Sequence, residues 1–130
     1  MNLFLHVQIT DTQESVKFYN PIVSKIKEHN LNINVYDIDN HSDSFIMGYA
    51  NKLLSDSEKK VILFDTELNS NFSKLMPLLT NLLDNPEEIE IFVKGNNQRL
   101  EKMMSVTAHS KFSGTTHENE IIERIISKFL

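Results

Sequence analysis

Acidic side chains recur in this chain where apolar runs stop. Thr10 and Asp11 follow a stretch ending at Ile9, Asp37 and Asp39 close a second, Asp65 and Glu67 a third, and Lys94 a fourth. If the four runs are neighbouring strands, these residues share one edge of a sheet. Asp11 and Asp65 then face each other, and two carboxylates so placed could hold Mg²⁺ through hard oxygen ligands. Capping competes with this chemistry, because Asp and Asn are the usual residues at helix starts and in turns, and local propensity favours capping.

Other residue types add little. The five histidines, His6, His29, His41, His109 and His117, show no helical pair spacing for a metal. His6 reads as a buried, hydrogen-bonded imidazole inside a strand, His41 falls near the acidic edge, and His109, Ser110 and Ser113 offer polar groups for a pocket. No Ser/His/Asp arrangement can be assembled from spacing. With no cysteine, disulfides, thiolate metal sites and cysteine nucleophiles are excluded. Gly48, Gly95 and Gly114 are the only glycines, too few and too scattered for a phosphate-binding loop. Met103 and Met104 read as core filler.

The elements that must position these groups follow from apolar patterning. In KKVILFDTE, residues 59–67, Val61, Ile62, Leu63 and Phe64 form a continuous apolar run that fits a strand buried on both faces. Leu3 to Ile9 reads as a first strand. Leu31 to Ile38 alternates Leu31, Ile33 and Val35 with polar partners, so one face alone is dry and an edge strand is expected. Ile89 to Val93 makes a fourth strand ending at Lys94-Gly95, and Ser105 to Phe112 leaves room for a short fifth.

Helical spacing links these runs. Asp11-Thr12-Gln13-Glu14 has capping-box spacing ahead of Val16, Tyr19, Ile22, Val23 and Ile26, with a kink at Pro21 or a restart there capped by Asn20. Further helices are expected over Phe45 to Leu54, over Leu75 to Leu83 with Pro77 in the first turn and Asn85-Pro86 as the stop, and around Arg99 to Met104. The last, from a Thr115 to Glu118 capping box, carries the stripe Ile121, Ile122, Ile125, Ile126, Phe129 and Leu130. Alternating strands and helices force a parallel sheet with helices on both faces. The expectation is one α/β domain over residues 1–130, doubly wound and flavodoxin-like, with strand order 2-1-3-4(-5), whose ligands would gather at the carboxyl edge.

Composition narrows the partners. Eighteen acidic against 13 basic residues give a net charge of −5, which disfavours nucleic acid and anionic membrane surfaces. The start, MNLFLHVQITD, reads as a strand rather than a leader, and no run reaches the length of a membrane span. A cytoplasmic setting is expected.

Three family resemblances rest on these residues. Asp65 after VILF, Asp11, and Lys111 before Phe112 resemble response-regulator receivers, which implies phosphoryl transfer to Asp65. Strand one carries one acid where receivers have an adjacent pair, and Lys94-Gly95 replaces the hydroxyl expected after strand four. Asp43 to Phe64 is similar to nucleoside deoxyribosyltransferases at Gly48, Tyr49, Ala50, Lys60, Val61 and Ile62, and the order of elements also resembles Toll-type domains. Both imply a glutamate on the second helix, yet Phe45 to Ser55 contains no carboxylate. Gly48 and Tyr49 read more simply as close helix packing and core filling.

The sum favours a small non-enzymatic binding or signalling module, taking a protein partner or a small-molecule or nucleotide ligand, with homodimerisation open. The alternative is a nucleoside- or nucleotide-processing enzyme using Asp11, Asp37, Asp39 or Asp65 as its acid, or a phosphorylatable receiver using Asp65. Ligand contacts would come from Thr10, Asp11, Asp37, Asp39, Asp65, Glu67 and Lys94. No cofactor is expected beyond Mg²⁺ at Asp11 and Asp65.

Overall fold

Val61, Ile62, Leu63 and Phe64 are all buried, because the strand that carries them runs through the middle of a five-stranded parallel sheet of order 2-1-3-4-5. A computed structural model describes residues 1–29, 32–67, 70–84 and 89–130. In chain order the elements are β1 (Asn2–Ile9), α1 (Pro21–Glu28), β2 (Ile33–Asp39), α2 (Ser44–Asp56), β3 (Lys60–Thr66), α3 (Met76–Asp84), β4 (Ile89–Lys94), α4 (Gln98–Met104), β5 (Ser110–Phe112) and α5 (Glu118–Ser127). Short 3₁₀ turns at Gln13–Ser15 and Ser73–Leu75 precede α1 and α3.

The sheet separates two apolar layers, as the alternation of strand side chains requires. Leu3, Leu5, Val7 and Ile9 face α2, α3 and α4 in one core. Phe4, Val61, Leu63, Phe92 and Phe112 face α1 and α5 in the other, where Arg124 lies 4.8 Å over the Phe112 ring. The expected flavodoxin-like order, the edge position of β2 and the fifth strand are all present. Among the described residues no helix is long and apolar enough to cross a membrane.

The ends of elements depart from expectation. Asp11 caps nothing; the chain makes only a 3₁₀ turn after it, and the helix begins at Pro21, where Asn20 Oδ1 accepts the Ile22 N–H at 2.9 Å. Proline at the first helical position sacrifices no hydrogen bond, so the restart wins over a helix running through it. At α5 the cap is His117, whose Nδ1 accepts from Asn119 N, not Thr115. The stop expected at Asn85-Pro86 and the start of β2 at Leu31 lie outside the described residues.

Gly95 is where backbone geometry is most demanding. It has φ +90°, and a Cβ there would sit 2.2 Å from the carbonyl oxygen of Thr66. The turn from β4 to α4 thus presses against the end of β3. Gly48 is the opposite case: it faces open space, so close helix packing does not explain it. Tyr49 is 47% exposed and meets Tyr36 edge to face rather than filling the core.

Candidate functional site

His6 organises the polar chemistry of the carboxyl-edge half of the sheet. It pairs in register with Asp37 on β2, and Gln8, two residues on, pairs with Asp65 on β3. His6 itself is fully buried on the α1 side, beside Phe4. Its Nδ1 lies 2.8 Å from Asp37 Oδ1, and its Nε2 lies 3.5 Å from both Asp65 Oδ2 and Asn20 Nδ2. Each carboxylate keeps 28% of its side-chain surface open.

The electrostatics follow from that geometry. Burial alone would lower the His6 pKa, but hydrogen bonds and charge from Asp37 and Asp65 outweigh it and raise the pKa above the ordinary 6.5. For Asp65, burial pushes upward, and His6, followed by the charges of Lys94 and Lys17, more than reverses this. Its carboxyl therefore sits below the usual range. A carboxylate only accepts, so His6 Nδ1–H donates to Asp37. Nε2 has two modes: protonated, it donates to Asp65; neutral, it accepts from the Asn20 amide, whose oxygen is already held by Ile22.

Gln8 braces the segment above this cluster. Its Nε2 donates to the Lys17 carbonyl at 2.8 Å and its Oε1 accepts the Lys17 N–H at 2.9 Å, so one side chain satisfies both backbone groups of a single residue. Phe18 and Tyr19 follow, 96% and 72% exposed.

Buried asparagines tie the remaining loops. Asn40 Oδ1 accepts from Thr10 N, and its Nδ2 donates to the carbonyls of Thr10 and Asn71. Asn97 caps α4 through Leu100 N and donates to the Ser70 carbonyl. The loops after β1, β2, β3 and β4 are thereby linked through two asparagine amides that both donate and accept.

The anticipated site residues divide accordingly. Asp37 and Asp65 lie inside their strands rather than after them, and Asp39 and Lys94 are the last residues of theirs. Asp37 and Asp65 meet at His6, with Lys94 paired to Asp65 in register. Asp39 instead shapes a turn, accepting from His41 N, while His41 Nε2 lies near the Thr10 carbonyl and hydroxyl. Asp11 is exposed, and its N–H donates to Glu67 Oε2 at 3.2 Å. Asp65 is thus engaged by His6, whereas Asp11 stands with Glu67 beyond the strand ends. Among the described residues, no three His, Cys, Asp or Glu side chains are grouped to hold a metal ion. Lys111, the lysine of the receiver resemblance, pairs with Glu101 of α4.

The chain matches no family model, no curated protein and no solved structure.

Two grooves among the described residues lie away from the His6 cluster. One groove of about 520 Å³ lies between the loop after β3 and α4, lined by Phe72, Met76, Arg99, Lys102 and Met103 among others. A second, of about 500 Å³, runs between the start of α2 and Pro77, past Met47 and Gly48. Neither is lined by His6, Asp37 or Asp65. Sequence patterning missed Gln8, Asn40 and Asn97, and it found Asn20 as a cap but not its contact with His6, because a polar residue in a strand or loop reads as solvated until its partner is known. The i, i+3, i+4 spacing of Arg99, Lys102 and Met103 was the available signal for the first groove.

Proposed function

We propose that this chain is a small cytoplasmic binding or signalling module rather than an enzyme, related in architecture to a degenerate receiver or Toll-type domain. The observation that carries this is the state of His6. The ring is fully buried, and both its nitrogens are directed at protein groups. Asp65, beside the switch point between β1 and β3 where α/β sheets place their ligands, and Asp37 on the edge strand β2 are both directed at His6. A carboxylate engaged in this way is a poor ligand for Mg²⁺ and a hindered phosphoryl acceptor. The pairing of Lys111 with Glu101 adds to this, since that lysine is turned to α4. A binding module fits two grooves whose described linings do not include His6, Asp37 or Asp65.

The rival, an enzyme on nucleosides or nucleotides, would draw on Asp65, whose carboxylate keeps partial solvent access. Incubation with Mg²⁺ and acetyl phosphate, read by intact mass, separates the readings. The expected result is unmodified protein. A phosphoryl adduct absent from Asp65→Asn would overturn the module reading, as would nucleoside or NAD turnover lost in Asp65→Ala.

A further inference from the structure

The groove between the loop after β3 and α4 has the composition of a site for an amphiphilic anion. Its apolar wall comes from Phe72, which is 7% exposed, Met76 at the first residue of α3, and Met103 of α4. Its charged wall comes from Arg99 and Lys102. Arg99, Lys102 and Met103 stand at i, i+3 and i+4 on one side of α4, so both cations overhang the same apolar surface. In a chain of net charge −5, neither cation forms an ion pair among the described residues, although Lys111, Lys128 and the amino terminus do.

Methionine side chains are flexible and polarizable, and they adapt to an apolar ligand without a fixed shape. A volume of about 520 Å³ suits a small molecule. Arginine and lysine separated by one turn match a single carboxylate, because each can donate a charge-assisted hydrogen bond to it. Asn71 at the rim adds a neutral polar group.

We infer that this groove binds a single-tailed organic anion, an apolar chain ending in a carboxylate, with the tail on Phe72, Met76 and Met103 and the head between Arg99 and Lys102. The inference rests on the module reading, since it treats the groove as a place where a ligand is held and released unchanged. The choice of a small anion over an acidic peptide follows from the groove's volume, which suits a small molecule, and from its two cations standing one turn apart on α4.

The test is titration of the full chain with decanoate, decanol, acetate and decyltrimethylammonium, followed by methionine methyl NMR. Saturable binding of decanoate that shifts the Met76 and Met103 methyls is expected, with decanol and acetate each at least roughly tenfold weaker, the loss of one charge-assisted bond or of the buried tail. The Arg99→Ala/Lys102→Ala variant should bind decanoate roughly tenfold or more weakly while still binding decanol unchanged. A natively folded Met103→Glu variant should lose decanoate binding. Equal affinity for decanoate and decanol, an unchanged affinity in the double variant, shifts centred elsewhere, or no saturation would each overturn the site. Recovery of intact decanoate separates the two proposals. Binding at the groove with consumption of the ligand would keep the site and remove the module reading, whereas absence of binding removes the site and leaves the module reading standing.

Discussion

His6 and Asp37 are register partners on adjacent parallel strands, and their side chains are 2.8 Å apart on the α1 face of the sheet. A charged pair at a sheet position usually faces solvent. Here one member is fully buried, so the energy of the contact depends on the proton that His6 carries.

The pH dependence of stability follows from two shifts of opposite sign. His6 has a folded pKa above its unfolded value of 6.5, so its stabilisation is complete below that pH and is lost as pH rises through the folded pKa. Asp65 has a folded pKa below 3.8, so its stabilisation is present above that pH and is lost as pH falls through the folded pKa. Denaturant unfolding across a pH series should show maximal stability in the mildly acidic window between these values. His6→Gln should lose the decline on the alkaline side and cost about 3 kcal/mol at pH 6, the lower end of the range for breaking a buried ion pair because both carboxylates remain part-solvated.

Asn20 bears on the same proton. Asn20→Asp keeps the cap oxygen for Ile22 but replaces the amide donor with a third carboxylate beside His6 Nε2. Histidine NMR titration should then place His6 higher than in the parent chain. Asn20→Ala should cost about 1 kcal/mol through the cap, with a further loss at alkaline pH, where the neutral ring no longer has the amide to accept from. An identical loss at pH 5 and pH 9 would show that the amide does not contact the ring.

Gln8 sets the position of the segment ahead of α1. Gln8→Ala removes both bonds to Lys17 and should destabilise the chain by about 1–2 kcal/mol. Amide exchange should accelerate most at Lys17. Gln8→Glu keeps the acceptor for the Lys17 N–H but loses the donor to its carbonyl, so it should fall between the two.

Gly95→Ala combines an unfavourable backbone angle with a clash against the Thr66 carbonyl. The expected cost is about 2–4 kcal/mol, read by urea unfolding. Gly48→Ala, in open space on α2, should instead stabilise by about 0.5–1 kcal/mol through helix propensity. Opposite signs at the two glycines would follow from their surroundings alone.

Local sequence carried the fold well because its signals are local. The continuous run Val61 to Phe64 and the alternation in Ile33 to Val35 distinguish a central strand from an edge strand without any tertiary information. Asp37 and Asp65 were legible as acids near strand ends, but their partner was not. His6 meets them only through pairing of β1 with strands 31 and 59 residues apart in sequence at those positions. Asp11 misleads for a related reason: its spacing is that of a cap, yet Gln8 holds Lys17 in a loop and Pro21 makes a better helix start. The groove beside α4 was hidden because Met103 and Met104 look alike in sequence, while one lines the cavity and the other is buried in the core.

The two faces of the sheet differ in more than shape. The His6 cluster lies on the α1 side, while the layer under α2, α3 and α4 is built mainly of apolar side chains. The sheet therefore stands between the His6 cluster and the groove beside α4. A change in the charge of His6 is felt first by Asp37, Asp65 and Asn20, the cap of α1. The proposed ligand groove and the proton-bearing cluster thus occupy opposite faces of one small sheet.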